Sequence, residues 1–323
     1  MPKDKECFKQ FKASTGGRSD KMQLRELAAS IRRGDRVALA KGITLAENEP
    51  VSAAKLLAGV GTPGRAFVVG ITGPPGTGKS SLVDRLIEAY RRTGLKVGVI
   101  AVDPTSPITG GALLGDRIRM AGHTGDRGVF IRSMASRGWS GGLSRATSQA
   151  IRLMDAAGYD LILLETVGIG QSDIEVVGVS HAVLVVLMPG LGDDIQVSKA
   201  GLMEIGDVYV VNKSDLEGAD LMVISLLSLF RGSERSPPVL KVSALSGEGV
   251  DKLHDAIERI RATFATGEPG LRLKSIRGMI VETARGAAME RLATVSENRA
   301  GALARQVLAG KMTVEAAASK LAG

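Results

Sequence analysis

The most informative segment of the sequence is Phe67-Val-Val-Gly-Ile-Thr-Gly-Pro-Pro-Gly-Thr-Gly-Lys-Ser80. Residues 73–80 fit the pattern G-x-x-x-x-G-K-[ST], between an apolar run and an amphipathic helical segment. Backbone N–H groups of such a loop can surround a phosphate, a lysine such as Lys79 can reach the β- and γ-phosphates, and a hydroxyl such as that of Ser80 can meet Mg²⁺. The alternative, a glycine-rich turn with a chance lysine, leaves the flanking strand and helix unexplained. We therefore predict a nucleotide site.

Short apolar runs rich in β-branched residues recur downstream of this loop, each followed by a helix-like stretch. Length alone would also allow buried helix, but regular spacing and glycine-bounded ends favour strands. Unbroken apolar strands alternating with helices are typical of a parallel sheet covered on both faces. The prediction is an α/β fold, a doubly wound, mainly parallel sheet of the P-loop NTPase type. The predicted strands are 67–69, 97–102, 129–131, 161–164, 183–187, 208–211 and 239–242.

Helical segments flank the predicted sheet on both sides. Residues 1–20 are polar and are expected to form a disordered tail, and residues 21–62 show helical apolar spacing, with Asp35 placed to cap a helix. The sheet domain is expected to span residues 63–267, and residues 268–323 to form a C-terminal helical dimerisation extension. An apolar stripe there must be buried on the main domain or on a second subunit. Its members are Leu273, Ile276, Ile280, Ala284 and Ala287.

A second motif, Asn212-Lys213-Ser214-Asp215, follows the apolar run 208–211 and resembles the N-K-x-D motif with which GTPases read guanine. A buried carboxylate at Asp215 can accept hydrogen bonds from guanine N1–H and the exocyclic amine, whereas adenine has no such pair of donors. Four residues alone are weak support, since Asn and Asp are common in turns. Their position downstream of Lys79 strengthens the interpretation. Ser243-Ala244-Leu245 resembles the last base-contacting loop of GTPases, so GTP and GDP are the expected ligands.

Three acids are candidates to hold Mg²⁺ or its waters together with Ser80: Asp103, Asp116 and Glu165. Each alone could equally be a helix cap or a turn residue. Asp103 and Glu165 are favoured because both end buried strands on the side where doubly wound sheets bind ligands. Glu165-Thr-Val-Gly168 occupies the place of the usual D-x-x-G element. Ile169 follows where many GTPases have glutamine, so a Ras-like water-positioning glutamine is not assumed.

Composition excludes several classes of protein. The 323 residues carry 42 basic and 34 acidic side chains, a net charge of +8, but the cations are scattered and only 3% of residues are aromatic, which argues against a nucleic-acid partner. The longest strongly apolar run, residues 182–188, is too short to cross a membrane. A single cysteine, Cys7, fits a reducing compartment. The chain is expected to be cytoplasmic.

Three longer segments resemble one family, the MeaB/ArgK GTPases associated with methylmalonyl-CoA mutase, which are similar in fold to SIMIBI-class P-loop GTPases. They are V-D-P-T-S-P-I-T-G-G-A-L-L-G-D-R-I-R-M (102–120), E-T-V-G-I-G-Q-S (165–172) and P-G-L-G-D-D-I-Q (189–196). The similarity covers most of the chain from about Gln23.

This resemblance implies a homodimeric GTP hydrolase that protects an adenosylcobalamin-dependent acyl-CoA mutase and gates its cofactor loading, without binding cobalamin itself. It implies that Asp103, Asp116 and Glu165 order Mg²⁺ and the attacking water, and that residues 190–199 form an extra switch loop. It further implies a phosphate cradle of Gly73, Pro74, Pro75, Gly76, Thr77, Gly78, Lys79, Ser80 and Ser81.

Two other functions are alternatives to the mutase chaperone. Nickel-delivering GTPases carry His-rich or Cys-bearing sites, whereas His123, His181 and His254 are widely separated here. His181, at the start of an apolar run, is expected to be a satisfied strand-end histidine. A kinase or phosphotransferase acting on a protein or small molecule would need an acceptor site and a base, and no acceptor-binding motif is recognisable. Phosphotransfer is therefore the second hypothesis.

Overall fold

The computed structural model describes residues 18–61, 65–103, 121–123, 125–135, 145–166, 172–190, 199–232, 236–266 and 297–322, with isolated positions between 273 and 288. Seven strands form one sheet in the order β3-β2-β4-β1-β5-β6-β7, and every neighbouring pair is parallel. The predicted doubly wound parallel sheet is confirmed. The strands are β1 (Phe67–Thr72), β2 (Val97–Asp103), β3 (Val129–Ala135), β4 (Leu161–Glu165), β5 (Ala182–Leu187), β6 (Val208–Val211) and β7 (Val239–Lys241).

Helices cover both faces of this sheet, and further helices precede its first strand and follow its last strand in the chain. They are α1 (Arg18–Arg32), α2 (Arg36–Asn48), α3 (Pro50–Val60), α4 (Lys79–Arg92), α5 (Arg145–Ala156), α6 (Ser172–Val179), α7 (Lys199–Ile205), α8 (Ala219–Phe230), α9 (Val250–Ala265), α10 (Glu297–Leu308) and α11 (Val314–Ala322). A 3₁₀ turn spans Ala121–His123. Helix α1 begins at Arg18, inside the segment predicted as a disordered tail, so the tail prediction is wrong for residues 18–20.

The core has two layers, one on each face of the sheet. Alternation along β1 sends Phe67, Val69 and Ile71 toward α4 and α9, and Val68 toward α1–α3 and α5. All of these strand residues are at most 2% exposed. A sheet buried on both faces explains why its strands are continuous apolar runs in the sequence.

The N-terminal helices form part of this core. Asp35 caps α2, accepting hydrogen bonds from the backbone N–H groups of Val37 (2.8 Å) and Ala38 (3.0 Å), as its place before an apolar-periodic segment predicts. Arg132 of β3 forms a half-buried ion pair with Glu47 of α2. The extension is therefore joined to the edge of the sheet by a polar contact as well as by apolar packing.

His181 lies just before β5, where its Nδ1 accepts a hydrogen bond from the Val68 backbone N–H at 2.8 Å. Its ring packs against those of Phe67 and Phe264, with centroids 5.5 and 4.1 Å away. The prediction of a satisfied strand-end histidine is confirmed.

The predicted C-terminal stripe is exposed where the structure describes it: Leu273, Ile276 and Ile280 are 65%, 44% and 64% exposed. Ala284 is exposed and helical, and Ala287 lies outside the described residues. The main domain of the same chain therefore leaves these described apolar side chains uncovered. Among the described residues, no helix combines the length and the apolar character that a membrane span requires.

Candidate nucleotide-binding site

The predicted site residues that the structure describes lie at the carboxyl edge of the sheet. The glycine-rich loop follows β1, and Glu165 ends β4, the strand paired with β1 through Ile71 and Glu165. Asp103 ends β2, on the other side of β4. In open parallel sheets, ligands bind in crevices outside this edge.

Two glycines of the loop lie where a side chain cannot fit. Gly73 has φ +140°, and a Cβ there would lie 2.0 Å from the Val186 carbonyl oxygen of β5. Gly78 has φ +87°, and its Cβ would lie 2.5 Å from Asn212 Nδ2. Tight contact with the neighbouring backbone and side chain therefore requires glycine at both ends of the loop.

Lys79, the first residue of α4, points back into this loop. Its Nζ donates hydrogen bonds to the carbonyl oxygens of Gly73 (2.8 Å) and Pro74 (3.1 Å), and only 7% of the residue is exposed. Thr77 Oγ1 donates to the same Pro74 oxygen at 2.9 Å. An ammonium held by carbonyls at a helix N-terminus can transfer its hydrogen bonds to phosphate oxygens.

Ser80 and Glu165 form a buried polar pair below the loop. Ser80 Oγ donates to Glu165 Oε1 at 2.7 Å, and the two residues are 6% and 5% exposed. The pair offers hydroxyl and carboxylate oxygens, the ligand type that Mg²⁺ prefers. Only the backbone of Asp103 is described, and Asp116, residues 167–171 and residues 191–198 lie outside the described part of the chain.

Asn212 joins the phosphate loop to the predicted base loop. Its Nδ2 donates to the Thr77 carbonyl oxygen at 2.8 Å, and its Oδ1 accepts from the Ala244 backbone N–H at 3.0 Å. The residue is 1% exposed. The next residue, Lys213, has φ +54°, the left-handed conformation that non-glycine residues adopt at a cost, often at functional sites.

Asp215 is held in place from the base loop. Ser243 Oγ donates to its Oδ1 at 2.6 Å, and this bond, with lesser contributions from backbone hydrogen bonding and Lys213, lowers the pKa of Asp215. The acid therefore stays ionised at neutral pH. It is exposed rather than buried, which corrects the expectation of a buried carboxylate. Leu245 is 83% exposed as well, so both residues lie at an open rim.

Arg85 is a site residue that sequence reasoning missed. From the middle of α4 its guanidinium donates to the carbonyl oxygens of Ala244 and Leu245, both at 2.9 Å. A single arginine on a helix face is typical of a solvated surface. The role of Arg85 becomes visible only in the structure, where α4 packs beside residues that lie 159 and 160 positions later. Arg85 positions the predicted base loop relative to the helix that follows the phosphate loop.

We expect Arg85→Met to raise the dissociation rate of GDP about five- to 150-fold, since an internal hydrogen bond contributes roughly 0.5–1.5 kcal/mol and two are lost. Arg92→Met is the matched control, because Arg92 lies on the same helix with a side chain that is 67% exposed. Release of a fluorescent GDP analogue measures both. Equal rates for Arg85→Met and wild type would contradict this role.

Comparisons with known proteins agree with this geometry. The family model "Methylmalonyl Co-A mutase-associated GTPase MeaB" matches residues 39–299. "Putative GTPase PH0274" of Pyrococcus horikoshii is 53% identical over 241 residues, 72% of this chain and 76% of that protein. "Methylmalonic aciduria type A homolog, mitochondrial" of Mus musculus is 35% identical over 288 residues, 80% of this chain and 68% of that protein.

Among solved structures, the crystal structure of "LAO/AO transport system kinase" matches with a TM-score of 0.69 and 26% identity, covering 95% of this chain and 98% of that one. The fold, the geometry of the glycine-rich loop and the similar proteins all indicate a GTPase. The family model covers most of the chain, and two relatives that the chain covers to more than two thirds exceed 30% identity. The chain is therefore a GTPase and belongs to the MeaB family of methylmalonyl-CoA mutase-associated GTPases.

Proposed function

We propose that the protein is a guanine-nucleotide switch that protects an adenosylcobalamin-dependent acyl-CoA mutase of the methylmalonyl-CoA mutase type and gates its cofactor loading. The observation that carries the nucleotide part is Asn212, which contacts both the phosphate loop and the base loop. The family match supports the mutase part. A cytoplasmic location is part of the same proposal.

The phosphates would lie in the loop of residues 73–81. Backbone N–H groups there and the N-terminus of α4 would face the phosphate oxygens, and Lys79 would exchange its bonds to Gly73 and Pro74 for bonds to the β- and γ-phosphates. Because the ammonium is already held within the loop, little reorganisation is needed. Binding would thus place positive charge where negative charge develops during hydrolysis.

The donor set fits Mg²⁺, because Ser80 and Glu165 place two oxygen-bearing side chains together at the carboxyl edge. These two residues would hold the ion, with Asp103 and Asp116 contributing directly or through water. When bound, Mg²⁺ neutralises charge on the phosphates. The acids would also orient water for in-line attack on the γ-phosphorus, since no glutamine follows Gly168 directly.

Base selection would rest on the rim formed by the two base-side segments. Asp215 would accept the N1–H and exocyclic amine of guanine, with Ser243 fixing the carboxylate. Asn212, Lys213, Ala244 and Leu245 would complete the walls around the base. An anionic acceptor pair favours guanine over adenine, which has no matching pair of donors.

The nucleotide state would be transmitted through two segments that lie almost wholly outside the described residues, 103–119 and 190–199. A γ-phosphate would order them and its loss would release them, which changes the surface offered to the mutase. A homodimer is proposed through the exposed stripe of Leu273, Ile276 and Ile280, because apolar side chains at helical spacing are stabilised by burial against a second copy.

Phosphotransfer is the second candidate, and the observation that favours it is the structural similarity to a protein named as a transport system kinase. The two functions differ in the fate of the γ-phosphate. If the protein hydrolyses GTP, all label from γ-labelled GTP should be recovered as inorganic phosphate, with or without protein or small-molecule acceptors. Label on an acceptor would favour the kinase.

The mutase proposal is tested by affinity capture from an extract of the native cells. Immobilised protein is loaded with a non-hydrolysable GTP analogue or with GDP, and captured proteins are identified by mass spectrometry. We expect an adenosylcobalamin-dependent mutase, captured in amounts that differ between the two nucleotide states, and a mutase-dependent increase in GTP turnover. Intact GTPase activity with no mutase captured in either state would refute the chaperone function alone.

A further inference from the structure

Outside the nucleotide site, the fold brings together two carboxylates and one histidine that are far apart in sequence. Asp84 and Glu88 lie one turn apart on α4, and His123 ends the 3₁₀ turn of residues 121–123. One possible ligand atom from each lies within 4.8 Å of the others. We propose that these three side chains bind a divalent transition-metal ion, with Zn²⁺ as the representative of the class.

The ligand set suits such an ion. Zn²⁺ binds imidazole nitrogen and carboxylate oxygen, and three protein ligands with one open position are a common arrangement. Tetrahedral ligands at bond lengths of about 2.1 Å are roughly 3.4 Å apart, so modest side-chain rotations would close the cluster. A nitrogen ligand beside two carboxylates favours a transition metal over Mg²⁺ or Ca²⁺.

The histidine is held against the helix that carries the acids. Arg91, on the same helix α4, donates two hydrogen bonds to the Asp126 carboxylate, at 2.7 and 3.0 Å. The Asp126 backbone N–H in turn donates to the His123 carbonyl oxygen at 3.1 Å. The His123 side chain is only 14% exposed. The three ligands are therefore preorganised, which reduces the ordering cost of binding an ion.

A simple His–Asp contact explains only part of this arrangement. His123 Nε2 lies 2.9 Å from Asp84 Oδ1, which is a hydrogen bond in itself. The His123–Asp84 hydrogen bond does not explain why the Glu88 carboxylate also lies close to these two side chains. Two carboxylates four residues apart on a helix repel each other, so their proximity is unfavourable without a cation. Arg85 pairs with Glu88 Oε2 at 3.1 Å, and a carboxylate has a second oxygen for a metal.

The widely separated histidines argued against metal delivery, and this site involves binding rather than delivery. It uses one histidine and two acids from a distant helix, so histidine spacing in the sequence could not reveal it. The site shares no ligand with the proposed GTP site. A failed test of the metal site would therefore leave the proposed switch function unaffected, and the reverse also holds.

The test measures Zn²⁺ binding to the full chain by competition with a chromophoric chelator. A Cys7→Ser background removes the thiol as a competing ligand, and saturating GDP with excess Mg²⁺ fills the nucleotide site. We expect one Zn²⁺ per chain, with affinity lowered at least about tenfold by His123→Asn and by Glu88→Gln. His254→Asn, which replaces a histidine with an exposed side-chain fraction of 20%, is the matched control and should bind as the background does.

A second readout separates binding from folding. Zn²⁺ should raise the thermal unfolding midpoint of the Cys7→Ser protein and of His254→Asn, but not that of His123→Asn, by mass action on the folded state. The midpoint of His123→Asn without metal shows whether that variant is folded. No saturable Zn²⁺ binding, or equal affinity in a folded His123→Asn, would overturn the site.

Discussion

Lys79→Ala lowers the kcat of GTP hydrolysis by about 10²–10³-fold, the expected loss when one preorganised donor to a developing charge is removed, and weakens GTP binding. In the free protein, Lys79 Nζ is already held by Gly73 and Pro74 inside the loop. The substitution therefore removes the one side-chain cation that the structure shows inside the described phosphate loop. Steady-state release of inorganic phosphate measures the effect.

Lys96→Ala is the matched control for this loss, because Lys96 is exposed and lies just before β2, at the opposite edge of the sheet. It should retain wild-type kcat. Lys79→Met preserves more of the buried side-chain volume than Lys79→Ala, so it is less prone to a folding defect. Thermal unfolding of both variants would reveal such a defect. Wild-type turnover in either Lys79 variant, in a preparation free of other GTPases, would refute the phosphate site.

Asp215→Asn exchanges guanine for xanthine specificity. Xanthine has a carbonyl where guanine has its exocyclic amine, and the amide nitrogen of asparagine can donate to it. Two hydrogen bonds to a charged group, each of roughly 1.5–3 kcal/mol, correspond to a loss of about 10²–10⁴-fold in GTP affinity. Ser243 can still donate to the retained side-chain oxygen, so the loop should keep its conformation.

Competition binding of GTP, ATP and xanthosine triphosphate tests this change. Asp220→Asn is the control, because Asp220 is an exposed acid close in sequence that pairs with Lys241 at 2.6 Å. It should bind GTP as the wild type does. An Asp215→Asn protein that still prefers GTP by the wild-type ratio would remove Asp215 from base recognition.

The parts of this protein that could be predicted from sequence are those with a local physical cause. A glycine at 73 or 78 is required by backbone angle and by close neighbours, and the strands read as apolar runs because both faces are buried. The capping role of Asp35 likewise depends on its immediate neighbours. Such signals lie within a few residues of one another.

The features that could not be predicted from the sequence depend on how segments that are distant in the chain pack together. Arg85 reaches the base loop because α4 lies beside residues 244 and 245, and His123 meets Asp84 because a turn after β2 folds back on the same helix. The exposure of Asp215 follows from its position at the rim of the sheet edge. A helix arginine and an isolated histidine carry no sequence pattern that distinguishes these roles from a solvated surface.

The Asp215→Asn protein provides the most direct test of guanine-nucleotide control over mutase association. The immobilised variant is loaded with non-hydrolysable analogues of GTP or of xanthosine triphosphate, or with the matching diphosphates, and captured mutase is quantified against the wild type. We expect capture by the variant to depend on the xanthine nucleotides, whereas capture by the wild type depends on the guanine nucleotides. Equal capture of mutase by the variant with every nucleotide, from a protein that binds xanthosine triphosphate, would contradict nucleotide control of mutase association.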